Sequence, residues 1–292
     1  MSQEFRTIAL IGKYQSPVIA GSLQALVAFL REHGRRVLVE EGTAEAVGSY
    51  GCEVASYASI GSEANLAIIL GGDGTMLNAA RRLAEHDVPL VGVNQGRLGF
   101  MTDIASDGML DSIAALLAGK FSSEKRFLLD AVVLRSGKPV HQAKALNEVV
   151  VSKGEAGRMI EMEVKVDGEF IYLLRADGVI VATPSGSTAY ALSANGPILH
   201  PAVPGIALVP LCPHALSNRP ITLCDQSMIE IILAPPHEAR IHFDGQAHFD
   251  ARANDCVRIV RDRHPITLLH PPGYSYLAML REKLHWSETP RH

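Results

Sequence analysis

Residues 65–75, Asn-Leu-Ala-Ile-Ile-Leu-Gly-Gly-Asp-Gly-Thr, run from a continuous apolar stretch straight into three glycines set around one aspartate. A short apolar run without alternation reads as a strand covered on both faces. From about Thr75 to His86, Met76, Ala79, Ala80 and Leu83 fall on one helical stripe. The same alternation extends to both sides. TIALIG (7–12) reads as a buried strand. Pro17 to His33 reads as a helix, with Val18, Leu23, Leu26, Val27 and Leu30 apolar and Gly34 as its stop. RRVLVEE (35–41) and VPLVGVN (88–94) are further strands, and a helix from Asp107 to Ala118 ends at Gly119. Apolar strands separated by helices predict an α/β, doubly wound parallel-sheet domain over residues 1–125.

Beyond residue 125 short strands follow one another through tight turns. LLDAVVLR and KPVHQAKAL flank Ser136-Gly137, and MIEMEVKV and EFIYLLRA flank Asp167-Gly168, a hairpin signal. Further strands are expected at 206–211, 228–234, 239–243, 256–260 and 266–270. Residues 126–274 therefore read as a mainly antiparallel β domain. A helix over 275–286, with Tyr276, Leu277, Leu280 and Leu284 on one side, is expected to pack back on the first domain.

Composition narrows the function. The 292 residues are 47% hydrophobic and 20% charged, as in a packed globular enzyme, and the net charge of −4 supplies no basic field for nucleic acid or anionic membrane. No apolar run reaches membrane-helix length, and MSQEFRTIALIGKYQ lacks a secretory pattern, so the cytoplasm is the expected compartment. Cys52, Cys212, Cys224 and Cys256 form no CxxC pair and are expected to be small buried hydrophobes. No histidine spacing indicates a metal cage.

Gly71, Gly72, Gly74 and Thr75 lie where a strand meets a helix, at the carboxyl end of the expected parallel sheet. Glycines let backbone approach a phosphate, and the helix start offers free N–H groups. The plainer reading is a tight turn in which Asp73 caps the helix, although Thr75 could cap unaided. No GxxxxGK[ST] loop is present, and no GxGxxG follows the first strand. A carboxylate repels a bare anion, but it suits a site where Asp73 accepts the proton of an attacking hydroxyl or positions it, which points to a kinase.

The second domain carries Asp177-Gly178-Val179-Ile180-Val181-Ala182-Thr183-Pro184-Ser185-Gly186-Ser187-Thr188-Ala189-Tyr190. Hydroxyl-rich turns are commonly local caps. Here four hydroxyls, an aspartate and a tyrosine crowd into one segment. Upstream, Asn147-Glu148 interrupts an apolar run, and a buried polar pair there needs a partner such as a nucleotide's ribose.

GGDGT, Asn147-Glu148, the DGxxxxTPSGSTAY segment, Asn94-Gln95-Gly96-Arg97-Leu98-Gly99-Phe100 and Asp244-Gly245-Gln246 together resemble the NAD kinase family across most of the chain. GGDGT is shared with lipid kinases and resembles the loop of phosphofructokinases; the Asn-Glu pair with TPSGSTAY is far more specific. Ala182 stands where the family usually has serine, and Ser185 where threonine is common. The resemblance implies NAD bound between an α/β and a β domain, and a homodimer or homotetramer. It implies ATP and a divalent ion, expected to be Mg²⁺ carried by the substrate phosphates, with no protein metal ligands assigned. It makes Asp73 the catalytic acid/base facing the 2′-hydroxyl of the adenosine ribose, giving NADP and ADP. Gly74 would bring backbone to NAD, and Asn147 and Glu148 would hold ribose. Asp177, Thr188, Ala189, Tyr190, Ala191, Leu192 and Ser193 would line the nucleotide pocket, with Arg158, Arg175 and Gln246 as further contacts. A basic residue at Arg175 goes, in that family, with use of ATP and NAD⁺ rather than polyphosphate or NADH. His242 and His248, which flank Asp244-Gly245-Gln246, read as surface or pocket-rim residues.

Two rivals stay open. One is a lipid or sugar kinase sharing GGDGT; a lipid kinase would be expected to show an apolar acyl pocket or a membrane face, and the sequence offers no surface-seeking amphipathic basic helix. A non-catalytic nucleotide sensor would be favoured by loss of Asp73 or of Asn147-Glu148, and all three are present.

Overall fold

A computed structural model of the chain describes residues 5–13, 16–96, 99–154 and 158–286. Arg97 and Leu98, quoted above, lie outside the described residues. Two compact units are formed, Met1–Lys125 with Ile266–His292, and Arg126–Pro265.

The first unit is built on β1 (Thr7–Gly12), α1 (Ala20–Glu32), β2 (Arg36–Glu40), α2 (Glu41–Val47), β3 (Glu53–Ala55), α3 (Tyr57–Glu63), β4 (Leu66–Leu70), α4 (Asp73–Leu83), β5 (Leu90–Asn94), β6 (Ile104–Ala105), α5 (Met109–Leu117) and β7 (Ser122–Arg126). β3, β2, β1, β4 and β5 lie side by side in that order, all parallel. β4 and β5 are buried along their whole length, and Ile8, Leu10, Ile68, Leu70 and Val93 share a core with Leu23, Leu26 and Leu30 of α1. Pro17–Ile19 forms a separate 3-10 turn before α1, so Val18 leaves the apolar stripe expected for it and is 69% exposed. The second strand stops at Glu40 because the Glu40 carboxylate accepts the Thr43 N–H at 2.8 Å and caps α2. The stretch α2–β3–α3 was not expected from periodicity, since its elements are only 3–7 residues long.

The second unit is a pair of antiparallel sheets. Its elements are β8 (Leu129–Arg135), β9 (Lys138–Ala145), β10 (Glu148–Lys153), β11 (Ile160–Val166), β12 (Glu169–Ala176), β13 (Gly178–Ala182), the short helix α6 (Tyr190–Ser193), β14 (Gly205–Leu211), β15 (Ile221–Cys224), β16 (Ile229–Leu233), β17 (Ala239–Phe243), β18 (Ala247–Ala251) and β19 (Cys256–Arg261). Among the described residues one sheet runs β15-β14-β13-β10-β17-β18 and the other β12-β11-β16-β19-β8-β9. Val149, Val151, Val179 and Val181 of the first face Met162, Val164, Ile231 and Ile259 of the second. β13 and β14 do not alternate because their outer face is covered too: Ile180, Ala182 and Val209 pack with Ala191 and Leu199. Ser136-Gly137 and Asp167-Gly168 have positive φ at both positions, as two-residue hairpin turns require.

Three expectations are corrected. The strand at Ile266–His270 (β20) does not belong to the β domain, which ends at 265 rather than 274. It enters the parallel sheet between β5 and β7, pairing parallel with β5 at Leu268 and Leu90. Ile266, Leu268 and Leu269 are all buried, as a strand covered on both faces demands. The final helix, α7 (Tyr276–Lys283), belongs to the same unit but buries Met279 and Leu280 and leaves Leu277 65% exposed. The cysteines are not core residues. Cys212 and Cys224 are exposed, Cys52 and Cys256 half-buried, and all four are unbonded. No helix among the described residues is long and apolar enough to cross a membrane.

Candidate functional site

At the carboxyl end of β4, Gly71 donates its N–H to the Val93 carbonyl at 3.0 Å, and Gly72 opens α4 without any side-chain cap. Asp73 is the first residue of that helix. Its carboxylate is directed at the loop following β5: the Phe100 N–H donates to Oδ2 at 2.8 Å and the Met101 N–H to Oδ1 at 3.0 Å. The Thr102 hydroxyl lies 3.2 Å from Oδ1 and itself accepts from Asn94 Nδ2 at 2.9 Å. Capping is therefore not what occupies Asp73. Gly99 permits the approach, since a Cβ there would collide with Asp73 Oδ1 and Thr102 Oγ1. An ionised carboxylate offers about four lone-pair sites. Three donors, two of them on Oδ1, leave Oδ2 able to accept a further hydroxyl.

At the glycine loop that precedes Asp73 a cavity of about 330 Å³ is lined by Lys13, Ser16, Gly71, Gly72, Asn94 and Gln95, among others. Lys13 immediately follows β1, and its N–H donates to the Leu70 carbonyl at 2.9 Å, which ties it to the glycine loop. Lys13 was missed in the sequence, although a Gly-Lys step at the end of a buried parallel strand is a readable signal. A lysine and glycine backbone lining one cavity suit a phosphate.

In the second unit the Asn147-Glu148 pair is held from below by Asp244. Asp244 (φ +52) and Gly245 (φ +63) form the turn between β17 and β18. The Asp244 carboxylate accepts N–H bonds from Leu146 at 3.0 Å, Asn147 at 2.7 Å and Glu148 at 3.2 Å. From the other side Thr183 donates its hydroxyl to the Leu146 carbonyl and its N–H to the Asn147 carbonyl at 2.9 Å. Gly186 packs so closely that a Cβ would collide with the Asn147 backbone. Asn147 and Glu148 are both buried, and Asn147 Oδ1 and Glu148 Oε2 have no hydrogen-bond partner. Burial first, and then the neighbouring Asp244 charge, push the Glu148 carboxyl up to about 8.

Much of the hydroxyl cluster serves the turn itself. Ser187 Oγ donates to the Pro184 carbonyl at 2.7 Å and accepts the Leu199 N–H at 2.9 Å, and Thr188 Oγ1 lies 3.2 Å from the Ser185 carbonyl. Ser185 accepts from buried Arg126 at 3.0 Å. Ala191 is buried against β13, Thr188, Ala189 and Leu192 are half-buried, and Tyr190 and Ser193 are exposed. Asp177 pairs with Lys153 at 2.8 Å. Arg175 projects from β12 with Glu161 at 3.9 Å, and Arg158 and Gln246 are exposed. His242 and His248 are cross-strand partners with ring centroids 6.2 Å apart; burial and the neighbouring His248 lower the His242 pKa.

Comparison with known proteins gives a consistent result. Residues 8–121 match the ATP-NAD kinase N-terminal domain and residues 146–270 the ATP-NAD kinase C-terminal domain. The NAD kinase of Azoarcus sp. (strain BH72) is 63% identical over 293 residues, covering 100% of both chains. That of Thiobacillus denitrificans is 49% identical, covering 99% of both. Among solved structures, yeast NADH kinase complexed with NADH superposes with a TM-score of 0.88 at 24% identity, covering 99% of this chain and 90% of that one. An NAD kinase from Archaeoglobus fulgidus in complex with ATP superposes with a TM-score of 0.75 at 24% identity, covering 96% and 98%. With an α/β unit holding GGDGT and a β unit holding Asn147-Glu148, and with relatives matched along its whole length, the chain belongs to the ATP-NAD kinase family, enzymes that phosphorylate NAD with ATP.

Proposed function

We propose that the enzyme transfers the γ-phosphoryl group of ATP to the 2′-hydroxyl of the adenosine ribose of NAD, forming NADP and ADP. The observation that carries this reading is the Asp73 carboxylate, fixed by Phe100, Met101 and Thr102 at the start of the helix whose preceding glycines, with Lys13, line a cavity. Asp73 Oδ2 accepts the hydroxyl proton or aligns the hydroxyl for in-line attack. Gly71, Gly72, Gly74 and Thr75 form the loop that lets phosphate oxygens come close to backbone, the Gly71 and Thr75 N–H groups themselves being taken by the Val93 and Gly72 carbonyls, and Lys13 supplies positive charge. Mg²⁺ arrives with the nucleotide as part of the substrate; among the described residues no cluster of three His, Cys, Asp or Glu is placed to cage an ion.

Asn147 and Glu148 hold a ribose, a role supported by their partnerless buried oxygens. Asp177, Thr188, Ala189, Tyr190, Ala191, Leu192 and Ser193 line the nucleotide pocket in this reading, with Arg158, Arg175 and Gln246 as outer contacts. We further propose a homodimer or homotetramer in the cytoplasm. Edge strand β12 presents Phe170 and Leu173 at 61% and 57% exposure, which supports assembly, and four unpaired cysteines fit a reducing compartment. Incubation with NAD and Mg-ATP, read by an NADP-specific dehydrogenase, tests the reaction: signal dependent on both substrates is expected, and its absence from folded protein would refute the reading.

A further inference from the structure

His270 ends β20, the strand that brings the chain's last segment into the parallel sheet beside β5. Its ring is 2% exposed and stacked on Tyr274, with centroids 3.7 Å apart and planes 5° from parallel. Nδ1 lies 2.9 Å from Asp103 Oδ2, and Nε2 lies 3.3 Å from Glu124 Oε2 on β7. A carboxylate accepts and cannot donate, so both contacts are hydrogen bonds only when both ring nitrogens carry protons. Burial by itself opposes that charge, but the hydrogen bonds to Asp103 and Glu124 outweigh it and hold the imidazole pKa above its usual value.

Asp103 directly follows the loop that grips Asp73. Gly99 donates to the Thr102 carbonyl at 3.1 Å, closing a turn, and the Phe100 and Met101 N–H groups on that turn hold the carboxylate. Anchoring Asp103 thus fixes the outgoing end of the turn. Past Asp103, Ile104 pairs with Val93 of β5, so the His270 contact holds the one residue between the turn and β6.

We infer that His270 is a positioning residue for Asp73: by bridging Asp103 and Glu124 it locks the 99–102 turn whose backbone donors aim the Asp73 carboxylate. This rests on Asp73 being the acid/base. Misplacement of a reacting group by about 1 Å can cost about 100-fold in rate, so the effect belongs in kcat. Asp103, Glu124 and Tyr274 face the ring. As pH rises through the raised pKa, the imidazolium loses a proton, one contact is lost, and kcat falls on the alkaline side.

The test measures kcat, KM for ATP and NAD, and the kcat–pH profile for wild type, His270→Phe, His270→Gln and Asp73→Asn. His270→Phe keeps the stack on Tyr274 and removes both donors. Expected are a kcat lower by about 10- to 100-fold, KM values within about threefold of wild type, and loss of the alkaline limb. His270→Gln, which retains one donor, should recover part of the loss. A folded His270→Phe with wild-type kcat, or with the same alkaline limb, would overturn the inference. Should that variant not fold, His270→Gln and Asp103→Asn are combined: the double variant should lose no more than the worse single one, and multiplicative losses would refute the bridge. Asp73→Asn separates the two claims. If it stays active, the acid/base reading falls and this inference with it. If it is inactive while His270→Phe is normal, only the bridge is wrong.

Discussion

Asp244 Oδ1 accepts the Asn147 N–H at 2.7 Å across 97 positions of sequence, and it also accepts the Glu148 N–H at 3.2 Å. One carboxylate in a hairpin turn thereby shapes the only polar interruption at the head of β10. Asp244→Ala strands three buried N–H groups, each worth about 1–3 kcal/mol when unsatisfied. A loss of at least about 3 kcal/mol in urea unfolding is expected. An unchanged midpoint would mean that the backbone finds other partners.

Asp73→Asn keeps the shape of the side chain and one accepting oxygen but removes the basic carboxylate. Turnover should fall about 10²- to 10⁴-fold, while NAD binding by calorimetry persists. Near-wild-type turnover would reduce Asp73 to a structural residue of the 99–102 turn.

Glu148, with its carboxyl raised to about 8, binds its proton more tightly in the folded than in the unfolded chain. Its contribution is fully present below its unfolded pKa of about 4.5 and is lost as pH rises through about 8. The ligand-free protein should lose stability across that window, with this group adding at most about 1.4 kcal/mol per pH unit. Glu148→Gln should flatten the slope of unfolding free energy between those two values; an identical slope would assign the pH dependence elsewhere.

Arg175 leaves β12 with its side chain 60% exposed and Glu161 at 3.9 Å, a pair worth little in water. Its predicted importance is for substrate choice. The enzyme should use ATP and NAD⁺, with little activity on polyphosphate or NADH, and Arg175→Gly should relax that preference without destabilising the fold. Rates for the four donor–acceptor combinations in both proteins decide it. Equal wild-type rates with NADH and NAD⁺ would defeat the specificity claim, and an unaltered preference in the glycine variant would acquit Arg175.

Local signals sufficed wherever a segment carried its own period or turn chemistry. LAIIL, and LVGVN up to Asn94, are without polar residues and became fully buried parallel strands. Ser136-Gly137 and Asp167-Gly168 became hairpin turns because those positions tolerate positive φ. GGDGT and Asn147-Glu148 stood out for a related reason: glycines and buried polar groups are costly in such settings unless a ligand or a close approach requires them. Tertiary structure decided what depends on partners distant in sequence. ITLLH suits an antiparallel edge or a parallel interior equally well; only the available place beside β5 put β20 in the first sheet. The pairing of Asp73 with Phe100 and Met101, of Asn147 with Asp244, and of His270 with Asp103 joins side chains to backbone or charge 27 to 167 positions away. Such bonds have no local period, because a carboxylate in a turn or a histidine at a strand end looks the same in sequence whether water or a buried partner satisfies it.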